Sequence, residues 1–466
     1  MSAEIRWRHD LVDRVLAEME KRIDLEVQAR VRERSSPNLR ATPDDMAWLT
    51  ARIAHHVSLY RQSGAEQVGG ELTEVEAKVV TAKLGHSFHP DGPLAMIMSK
   101  PDVSEIHILI PDRGWAIGAG GKITQFTIPD GLRTEDDWKR LVINKWVARG
   151  KGGPVNASLP IKTIVLPESR WRIHIALSDV SDPPALTMRK QQIEKFKALQ
   201  ALVDVGAFPS WVGEFFAAMV QARLNMLIAG GMGSGKTTLM RVLAATAGLH
   251  ERILSIEDTP ELYLRDVRPG SNTVALTSRE PNAEGKGGID MSVLAREILR
   301  MSPDRAFVGE VRGKEAFPMV QAMSSGVDGS ACTLHAQSAR MIIPRLVTYM
   351  LEHPDQGKDE VQAKKTVSTA IDLLVYMRRF TDRNGMVRRL LHHVAVPLGY
   401  ENGDVKVQVL FEYQEATDSW RWTGPRPEQA GTAEWKEKLR EHGVDLSNMV
   451  PASALGLVAA AGAVKL

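Results

Sequence analysis

The sequence predicts an α/β protein with a helical opening region, a smaller α/β domain and a larger α/β domain. Three patterns predict this organisation. Apolar residues recur at four-residue steps from Leu11 to Val31, the stripe of an amphipathic helix. From about residue 100 the apolar spacing shifts toward two, which is typical of strands. From Pro209 onward, helical and strand-like runs alternate, as they do in α/β folds.

The 466 residues divide into five predicted segments. They are a helical region at 1–90, an α/β domain at 91–190, a charged helical linker at 191–208, a larger α/β domain at 209–415 and a polar tail at 416–466. Thr42 before Pro43 predicts a helix N-cap, and Asn384-Gly385 and Asn402-Gly403 predict hairpin turns. We expect the helical linker pattern to extend over Lys190–Val205 and the core signal to fade beyond about 415.

Composition and charge exclude several classes of protein. Lys and Arg number 59 and Asp and Glu number 57, so the formal charge of +2 gives no global reason to expect nucleic acid binding. A single cysteine, Cys332, excludes a disulfide framework and a multi-cysteine zinc site. The opening residues lack the apolar run of a secretory signal, and the apolar tail at 450–464 is too short to span a bilayer. We therefore expect a cytoplasmic protein that does not insert into lipid.

A glycine-rich loop carries the clearest chemistry. The strand-like run Asn225–Ala229 leads into Gly230, Gly231, Met232, Gly233, Ser234, Gly235, Lys236, Thr237 and Thr238, and a helical run follows. This is the P-loop pattern in its strand–loop–helix setting. Glycines let backbone N–H groups turn toward phosphate oxygens, and the helix N-terminus favours an anion. The pattern predicts that Lys236 reaches the β- and γ-phosphates of ATP and that Thr237 coordinates Mg²⁺.

Two acids end apolar strand candidates downstream of this loop. Glu257 follows Ile253–Ile256, and Glu310 follows Ala306–Gly309. Phosphoryl transfer needs a carboxylate near the metal and the attacking water. The run at 253–258 lies close behind the loop helix, which suits the second strand of the fold. We therefore predict Glu310 as the principal acid and Glu257 as a second acid near the metal and water. Taken singly, each could equally be a strand-end surface carboxylate.

The segment Gly329–Ala336 holds a further candidate, the lone histidine His335. A lone histidine is more often structural than functional, so spacing alone leaves both interpretations open. Its neighbour Cys332 is predicted to be a small buried side chain rather than a nucleophile.

At this point the sequence resembles the type II/type IV secretion traffic ATPases, and within them the CpaF-like branch of Tad/Flp pilus systems. The resemblance covers roughly 100 to 415 and rests on four signatures in the family's order. These are the P-loop at 230–238, an Asp box at Ile256–Leu262, an atypical Walker B at Pro303–Arg312 and a His box at Thr333–Ala336. Arg279–Gly287 and Pro101–Ile106 also look like this branch.

The resemblance implies a RecA-like P-loop NTPase domain preceded by a PAS-like α/β domain, in a ring-shaped homohexamer that hydrolyses ATP. It implies catalytic roles for Glu310, Glu257 and His335 and completion of the site by arginines. Arg279 and Arg312 match such positions, and Arg172 and Arg189 match them loosely, as nucleotide contacts. It also implies an inner-membrane platform protein as partner, with the motor at the inner face of the membrane.

The chain departs from the family's pattern at two places, and two other functions stay in view. Val327 stands where the branch often has a histidine, and the turn at 166–169 is altered, which weakens the assignment of Arg172. The zinc-binding tetracysteine module of related ATPases is absent. The alternatives are a DNA-translocating or conjugation-type ATPase and a nucleotide-binding scaffold that does not hydrolyse. The Gly309-Glu310 pair argues against the first, and the intact Lys236, Thr237 and Glu310 argue against the second.

Overall fold

The computed structural model describes residues 9–34, 42–64, 70–111, 113–118, 121–128, 132, 134–147, 150, 155–166, 168–191, 193–282, 284–382, 385–447 and 449–455. They divide into two units, 1–191 and 192–466, and each is described by itself. The N-terminal residues and most of the apolar tail that the sequence singled out lie outside the described ranges. Within those ranges, no helix combines the length and the apolar character needed to cross a bilayer.

The first unit opens with three helices, α1 (His9–Glu33), α2 (Pro43–Leu59) and α3 (Glu74–Phe88). The predicted N-cap of α2 is confirmed, because the Thr42 hydroxyl accepts a hydrogen bond of 3.3 Å from the Asp45 backbone N–H. The buried face of α1 joins the buried faces of α2 and α3 in one apolar cluster, which includes Val15, Ile53 and Val80. The stripe read from the sequence is therefore buried within the three-helix region itself.

A six-stranded antiparallel sheet forms the rest of this unit. Its strands are β1 (Val103–Leu109), β2 (Arg113–Gly118), β3 (Ile123–Thr127), β4 (Ile161–Leu166), β5 (Trp171–Ala176) and β6 (Ala185–Lys190). They lie in the order β3-β2-β1-β6-β5-β4. Helices α4 (Ala95–Met98) and α5 (Glu135–Arg140), the latter continued by a π-helical turn at Leu141–Val147, accompany the sheet. Trp138, Trp146 and Trp171 fill its core, so the region is the small α/β domain that the sequence predicted.

The second unit holds one nine-stranded sheet. Its strands are β7 (Met226–Gly230), β8 (Ile253–Glu257), β9 (Thr273–Thr277), β10 (Arg305–Val311), β11 (Ala331–His335), β12 (Leu373–Thr381), β13 (Val387–Glu401), β14 (Asp404–Gln414) and β15 (Ser419–Trp422). The α-helices described in this unit are α6 (Leu199–Asp204), α7 (Ser210–Gln221), α8 (Lys236–Thr246), α9 (Leu264–Val267), α10 (Met291–Ile298), α11 (Ala316–Ser324), α12 (Ile342–Leu351), α13 (Glu360–Ala370) and α14 (Ala433–Glu441).

The strand order is β15-β14-β13-β12-β7-β11-β10-β8-β9. The six strands from β12 to β9 run parallel, and β13, β14 and β15 continue the sheet as an antiparallel meander. The α/β fold class predicted from the sequence is thus confirmed. In the parallel part, β7, β8, β10, β11 and β12 are neighbours, so residues at their carboxyl ends meet at one edge of the sheet.

Both faces of the sheet are covered by helices, which explains the unbroken apolar run before the P-loop. Met226 and Ile228 of β7 enter one apolar cluster with residues of α7 and α8. Leu227 and Ala229 enter a second cluster, on the other face, with residues of α11, α12 and α13. Alternate side chains of β7 therefore pack against helices on opposite faces of the sheet, and the P-loop begins at the end of a fully buried strand.

Two predictions about the chain's organisation need correction. The described residues at 190–191 and 193–198 are not helical, because β6 continues to Lys190 and helix α6 starts only at Leu199. The core does not fade beyond 415 either. Trp422 on β15 and Trp435 on α14 are each 1% exposed and belong to the same apolar cluster as Phe411. These two tryptophans are buried among polar neighbours in the sequence, so the mean hydropathy of the segment does not indicate a core.

The hairpin at Asn402-Gly403 is confirmed. Its two turn residues connect β13 to β14 with φ values of +52° and +84°, the left-handed pair that a type I′ turn requires. The antiparallel strands β12 and β13 also pair on either side of Gly385 as predicted, although Asn384 lies outside the described residues.

Candidate functional site

The P-loop joins the carboxyl end of β7 to the first turn of α8. Glycine is required at Gly230, because a Cβ there would lie 2.2 Å from the Met377 carbonyl oxygen. Gly235 has φ +99° and caps α8, so it occupies the left-handed region that side chains avoid. The Ser234 hydroxyl donates to the Gly231 carbonyl at 2.9 Å and steadies the loop. These features are those of a tight, glycine-dependent loop at a helix N-terminus, and phosphate binding by its backbone N–H groups stays a prediction.

Lys236 points back across the loop that precedes it. Its Nζ donates to the carbonyl oxygens of Gly230 (3.1 Å) and Gly231 (3.0 Å), and the residue is 6% exposed. Burial lowers the pKa of Lys236 to about 8, although the nearby Glu310 carboxylate opposes the change. The ammonium group is therefore predominantly protonated at neutral pH and lies beside the backbone that would surround a phosphate.

His335 at the carboxyl end of β11 is brought to the P-loop by strand pairing, because it lies opposite Gly230 in the parallel register. Lys236 Nζ lies 3.3 Å from His335 Nδ1, and an ammonium group can only donate, so Nδ1 is the acceptor. Burial, followed by the charge of Lys236, lowers the pKa of His335. The imidazole is therefore neutral at pH 7 and carries its proton on Nε2.

Glu310, near the end of β10, lies on the far side of this histidine. Its Oε2 accepts a hydrogen bond of 2.7 Å from Arg312 Nη2. Its Oε1 lies 3.0 Å from His335 Nε2 but off hydrogen-bond geometry, so this buried oxygen has no hydrogen-bond partner among the described residues. Burial alone would raise the pKa of Glu310, but Arg312, His335 and Lys236 together hold it below its ordinary value. An ionised carboxylate thus presents one unsatisfied oxygen within the site.

Glu257 at the end of β8 has a different environment, and it is 4% exposed. Its Oε1 accepts hydrogen bonds from the backbone N–H groups of Glu261 (2.9 Å) and Leu262 (2.8 Å). Burial raises the pKa of Glu257 to about 7, against the lowering effect of those hydrogen bonds. A Cβ on Gly309 would lie only 3.0 Å from Glu257 Cγ, so the glycine before Glu310 makes room for the second acid.

The four predicted arginines lie in different places. Arg312 contacts Glu310, and its Nη1 is 3.9 Å from Asp258 Oδ2. Arg279 instead donates from Nε to the Gly287 carbonyl at 2.7 Å, and among the described residues it forms no hydrogen bond or ion pair with the acids or the P-loop. Arg172 on β5 and Arg189 on β6 are cross-strand neighbours in the first unit, where Arg189 pairs with Glu105 at 2.7 Å.

Several residues at this edge of the sheet were missed by sequence reasoning. Arg241 on α8 is 4% exposed and donates to the carbonyl oxygens of Glu261 (2.6 Å) and Leu262 (3.0 Å), the same turn whose N–H groups hold Glu257. The Thr333 hydroxyl donates to the Gly309 carbonyl at 2.6 Å. Arg389 on β13 donates from Nε to the Gly233 carbonyl at 2.9 Å. The position of Arg241 on the helix that follows the P-loop could have marked it as a site residue. Arg389 lies 156 positions from its partner Gly233, so no local pattern links the two.

The donor set at this site fits a nucleotide with Mg²⁺. Thr237 lies in the first turn of α8, directly after Lys236, and Glu310 Oε1 is a buried oxygen without a hydrogen-bond partner in the part of the chain that the structure describes. Hydroxyl and carboxylate oxygens are the ligands that Mg²⁺ takes in phosphate sites. A Cβ placed on Gly231 would have no atom within 4 Å, so the loop borders open space at that position. Glu257, whose bound oxygen is committed to backbone donors, fits a ligand role less directly than Glu310.

Comparison with known proteins finds one family. Residues 162–382 match the family described as type II/IV secretion system protein. The type IV secretion system protein PtlH of Bordetella pertussis is 35% identical over 219 residues, 47% of this chain, and the chain spans 62% of its length. The conjugal transfer protein TrbB of Rhizobium radiobacter is 28% identical over 259 residues, 55% of this chain and 73% of TrbB. The VirB11 ATPase from the Brucella suis type IV secretion system aligns with a TM-score of 0.34 and 24% identity, covering 65% of this chain and 94% of that one.

Proposed function

We propose that the chain is an ATP-hydrolysing motor of a type II/IV secretion system, because residues 162–382 match the family of that description. The observation that carries the proposal is the grouping of Lys236, His335 and Glu310 at the P-loop. The neutral imidazole of His335 lies 3.3 Å from the Lys236 ammonium group and 3.0 Å from Oε1 of the ionised Glu310 carboxylate, an oxygen with no hydrogen-bond partner among the described residues. This set supports phosphoryl transfer to water.

In the proposed reaction each residue has a defined task. Lys236 offers its positive charge to the phosphate chain held by the P-loop N–H groups. Glu310 accepts a hydrogen bond at Oε1 from the attacking water and orients it toward the γ-phosphate. His335 holds a proton on Nε2, from which it donates to an oxygen in the site. Arg312 keeps Glu310 ionised and oriented through the 2.7 Å hydrogen bond.

We also propose that Mg²⁺ accompanies ATP, held by Thr237 and Glu310, with Glu257 as the second acid of the site. The ion would neutralise negative charge on the phosphates during transfer. Two backbone N–H groups already hold Glu257 Oε1, which favours a place for this side chain near the metal and water without direct contact to them.

The same proposal extends to the assembly. We propose a homohexamer in which Arg279 acts with arginines of the first unit, Arg172 and Arg189, to complete the nucleotide site. ATP turnover would then move domains and power pilus assembly, in the manner of the CpaF-like Tad branch, or protein secretion. A platform protein of the inner membrane would recruit the motor to the cytoplasmic face. The name of PtlH supports the secretion role.

A conjugation-type motor is the second candidate, and the name of TrbB favours it. The near-neutral formal charge of +2 weighs against direct contact with DNA. Duplex DNA that stimulates ATP turnover in a salt-dependent way would support this candidate over protein secretion.

The proposed activity is tested by removing the ammonium group at the P-loop. We expect Lys236→Ala to lower ATP turnover by about a hundredfold or more and to weaken nucleotide binding, because the loop loses its phosphate-facing cation. Turnover by purified wild type and variant would be measured with an assay of released phosphate. Arg388→Gln is a matched control, because Arg388 pairs with Asp418 on the meander and, among the described residues, forms no hydrogen bond or ion pair with the loop. Near-normal turnover by Lys236→Ala would contradict the assignment.

A further inference from the structure

Two arginines of the β12–β13 hairpin flank the P-loop on the side away from Glu310. β12 lies beside β7 in the sheet, whereas β11 and β10 follow on the other side. Met377 of β12 is paired with Gly230, so the strand continues past the loop through residues 378–381. Arg379 on this extension lies directly opposite Arg389 of β13. Like charges placed opposite each other across strands destabilise a sheet unless something anionic or dipolar compensates them.

Both guanidinium groups are directed at the middle of the P-loop. Arg389 Nε donates to the Gly233 carbonyl at 2.9 Å. A Cβ built on Gly233 would lie 3.6 Å from Arg379 Nη1, so this group passes close to the loop backbone. Both side chains are exposed, and no carboxylate among the described residues forms an ion pair with Arg379. Its neighbour Arg378 differs, since it pairs with Glu415.

A cleft of 510 Å³ opens between this extension and the loop. Its lining includes Gly231 and Met232 of the loop together with Arg379 and Phe380 of the strand. A positive charge without a carboxylate partner therefore borders a space that begins at the phosphate-binding loop. Guanidinium groups bind phosphate oxygens through paired N–H donors, which suits this position better than a structural role in the hairpin.

We propose that Arg379 and Arg389 form a second cationic contact to the phosphate chain of the bound nucleotide, supplied by the same protomer. The inference rests on the proposed function, since it requires a nucleotide at the P-loop. Arg389 holds the loop through Gly233, and Arg379 contacts phosphate oxygens from the cleft. Together with Lys236, they place positive charge on two sides of the same loop.

The proposal is tested by a competition assay, in which ADP, AMP or adenosine displaces a fluorescent ADP analogue and the affinity of each ligand is measured. We expect Arg379→Gln to weaken ADP binding by about tenfold, the effect of one charge-assisted contact, and to leave adenosine unchanged. Arg379→Lys should recover part of the loss, and the difference should shrink at high salt. Arg388→Gln, on the same hairpin but paired with Asp418, should bind all three ligands like the wild type.

The outcomes separate this inference from the proposed function. Unchanged ADP affinity in Arg379→Gln, with a wild type that binds ADP, would overturn the inference and leave the proposed function standing. An equal loss for ADP and adenosine would also overturn it, because that pattern indicates a distorted cleft rather than a lost phosphate contact. A wild type that binds no adenine nucleotide would overturn both.

Discussion

The two acids at the carboxyl edge of the parallel strands have opposite electrostatic environments. Glu310 has cationic neighbours, which hold its pKa below the ordinary value, whereas burial raises the pKa of Glu257 to about 7. A pair of carboxylates with separated pKa values permits different protonation states at one pH. Glu310 is therefore the ionised acid at neutral pH, and Glu257 is partly protonated while its Oε1 accepts two backbone hydrogen bonds.

The raised pKa of Glu257 makes a prediction about stability. The folded state binds this proton more tightly than the unfolded chain, whose carboxyl group has a pKa near 4.5, so stability is greatest at low pH and is lost as pH rises from about 4.5 to 7. One pKa unit corresponds to about 1.4 kcal/mol, so the loss is up to about 3 kcal/mol. Glu257→Gln does not titrate, and we expect its unfolding midpoint relative to wild type to rise between pH 5 and pH 8.

Thermal unfolding of both proteins at the two pH values measures this difference. Glu360→Gln, whose side chain is 60% exposed on α13, is the control and should show no comparable change. A difference between Glu257→Gln and wild type that stays constant from pH 5 to pH 8 would contradict the raised pKa.

At this scale the sequence predicted the residues of short local motifs and missed those that tertiary pairing supplies. The P-loop residues are consecutive, so their spacing alone predicts phosphate binding. His335 was ambiguous from spacing, and the parallel register with Gly230 explains why it lies beside Lys236. Arg389 reaches Gly233 only because β13 pairs with β12 and β12 pairs with β7. No short-range pattern reports such a contact.

The elements of the fold were predictable where their periodicity was strong. The tight turn at Asn402-Gly403 followed from residues that tolerate positive φ, and the structure has both in that region. The order of the acids also followed from chain position, because β8 lies outside β10 relative to β7 in the sheet. That order puts Glu310 one strand closer to the P-loop than Glu257.

Other elements were hidden by local composition. The charged run after Lys190 indicated a helix, but β6 ends there and the described helix α6 spans only Leu199–Asp204. Helix α14 is polar along most of its length, yet Trp435 and Leu439 anchor it in the core. Lys438 also bridges Asp328 and Asp372 at 2.9 Å and 2.8 Å. A few anchoring side chains and two partly buried ion pairs hold this helix in place, and the mean hydropathy of the segment does not detect them.

For the whole molecule, the two units and their separate cores agree with the expectation of more than one domain, while the predicted five-segment boundaries stay a prediction. The boundary between the units lies at 191/192, so all but the first residue of the predicted linker at 191–208 belongs to the second unit. Leu202 and Phe208 belong to the large apolar cluster of this unit, so much of the predicted linker is part of its core.

The proposed ring makes a prediction about mass. Each chain is 51.4 kDa, and we expect mass photometry with a non-hydrolysable ATP analogue to reveal a species of six chains. The physical reason is that the proposed site takes arginines from outside one P-loop domain, so nucleotide would favour assembly. Lys236→Ala, with weakened nucleotide binding, should form less of this species at the same analogue concentration. A strict monomer in every nucleotide condition would contradict the hexamer.

The central claim is that Glu310 carries ATP hydrolysis at this P-loop, and replacing each acid by its amide tests it most directly. ATP binding and phosphate release would be measured for wild type, Glu310→Gln and Glu257→Gln at pH 7. We predict that Glu310→Gln binds ATP with near-normal affinity and loses turnover by about a hundredfold or more, because the amide keeps the shape but not the charge that orients water. If Glu310→Gln instead hydrolyses ATP like wild type while Glu257→Gln is inactive, the assignment of the principal acid is contradicted.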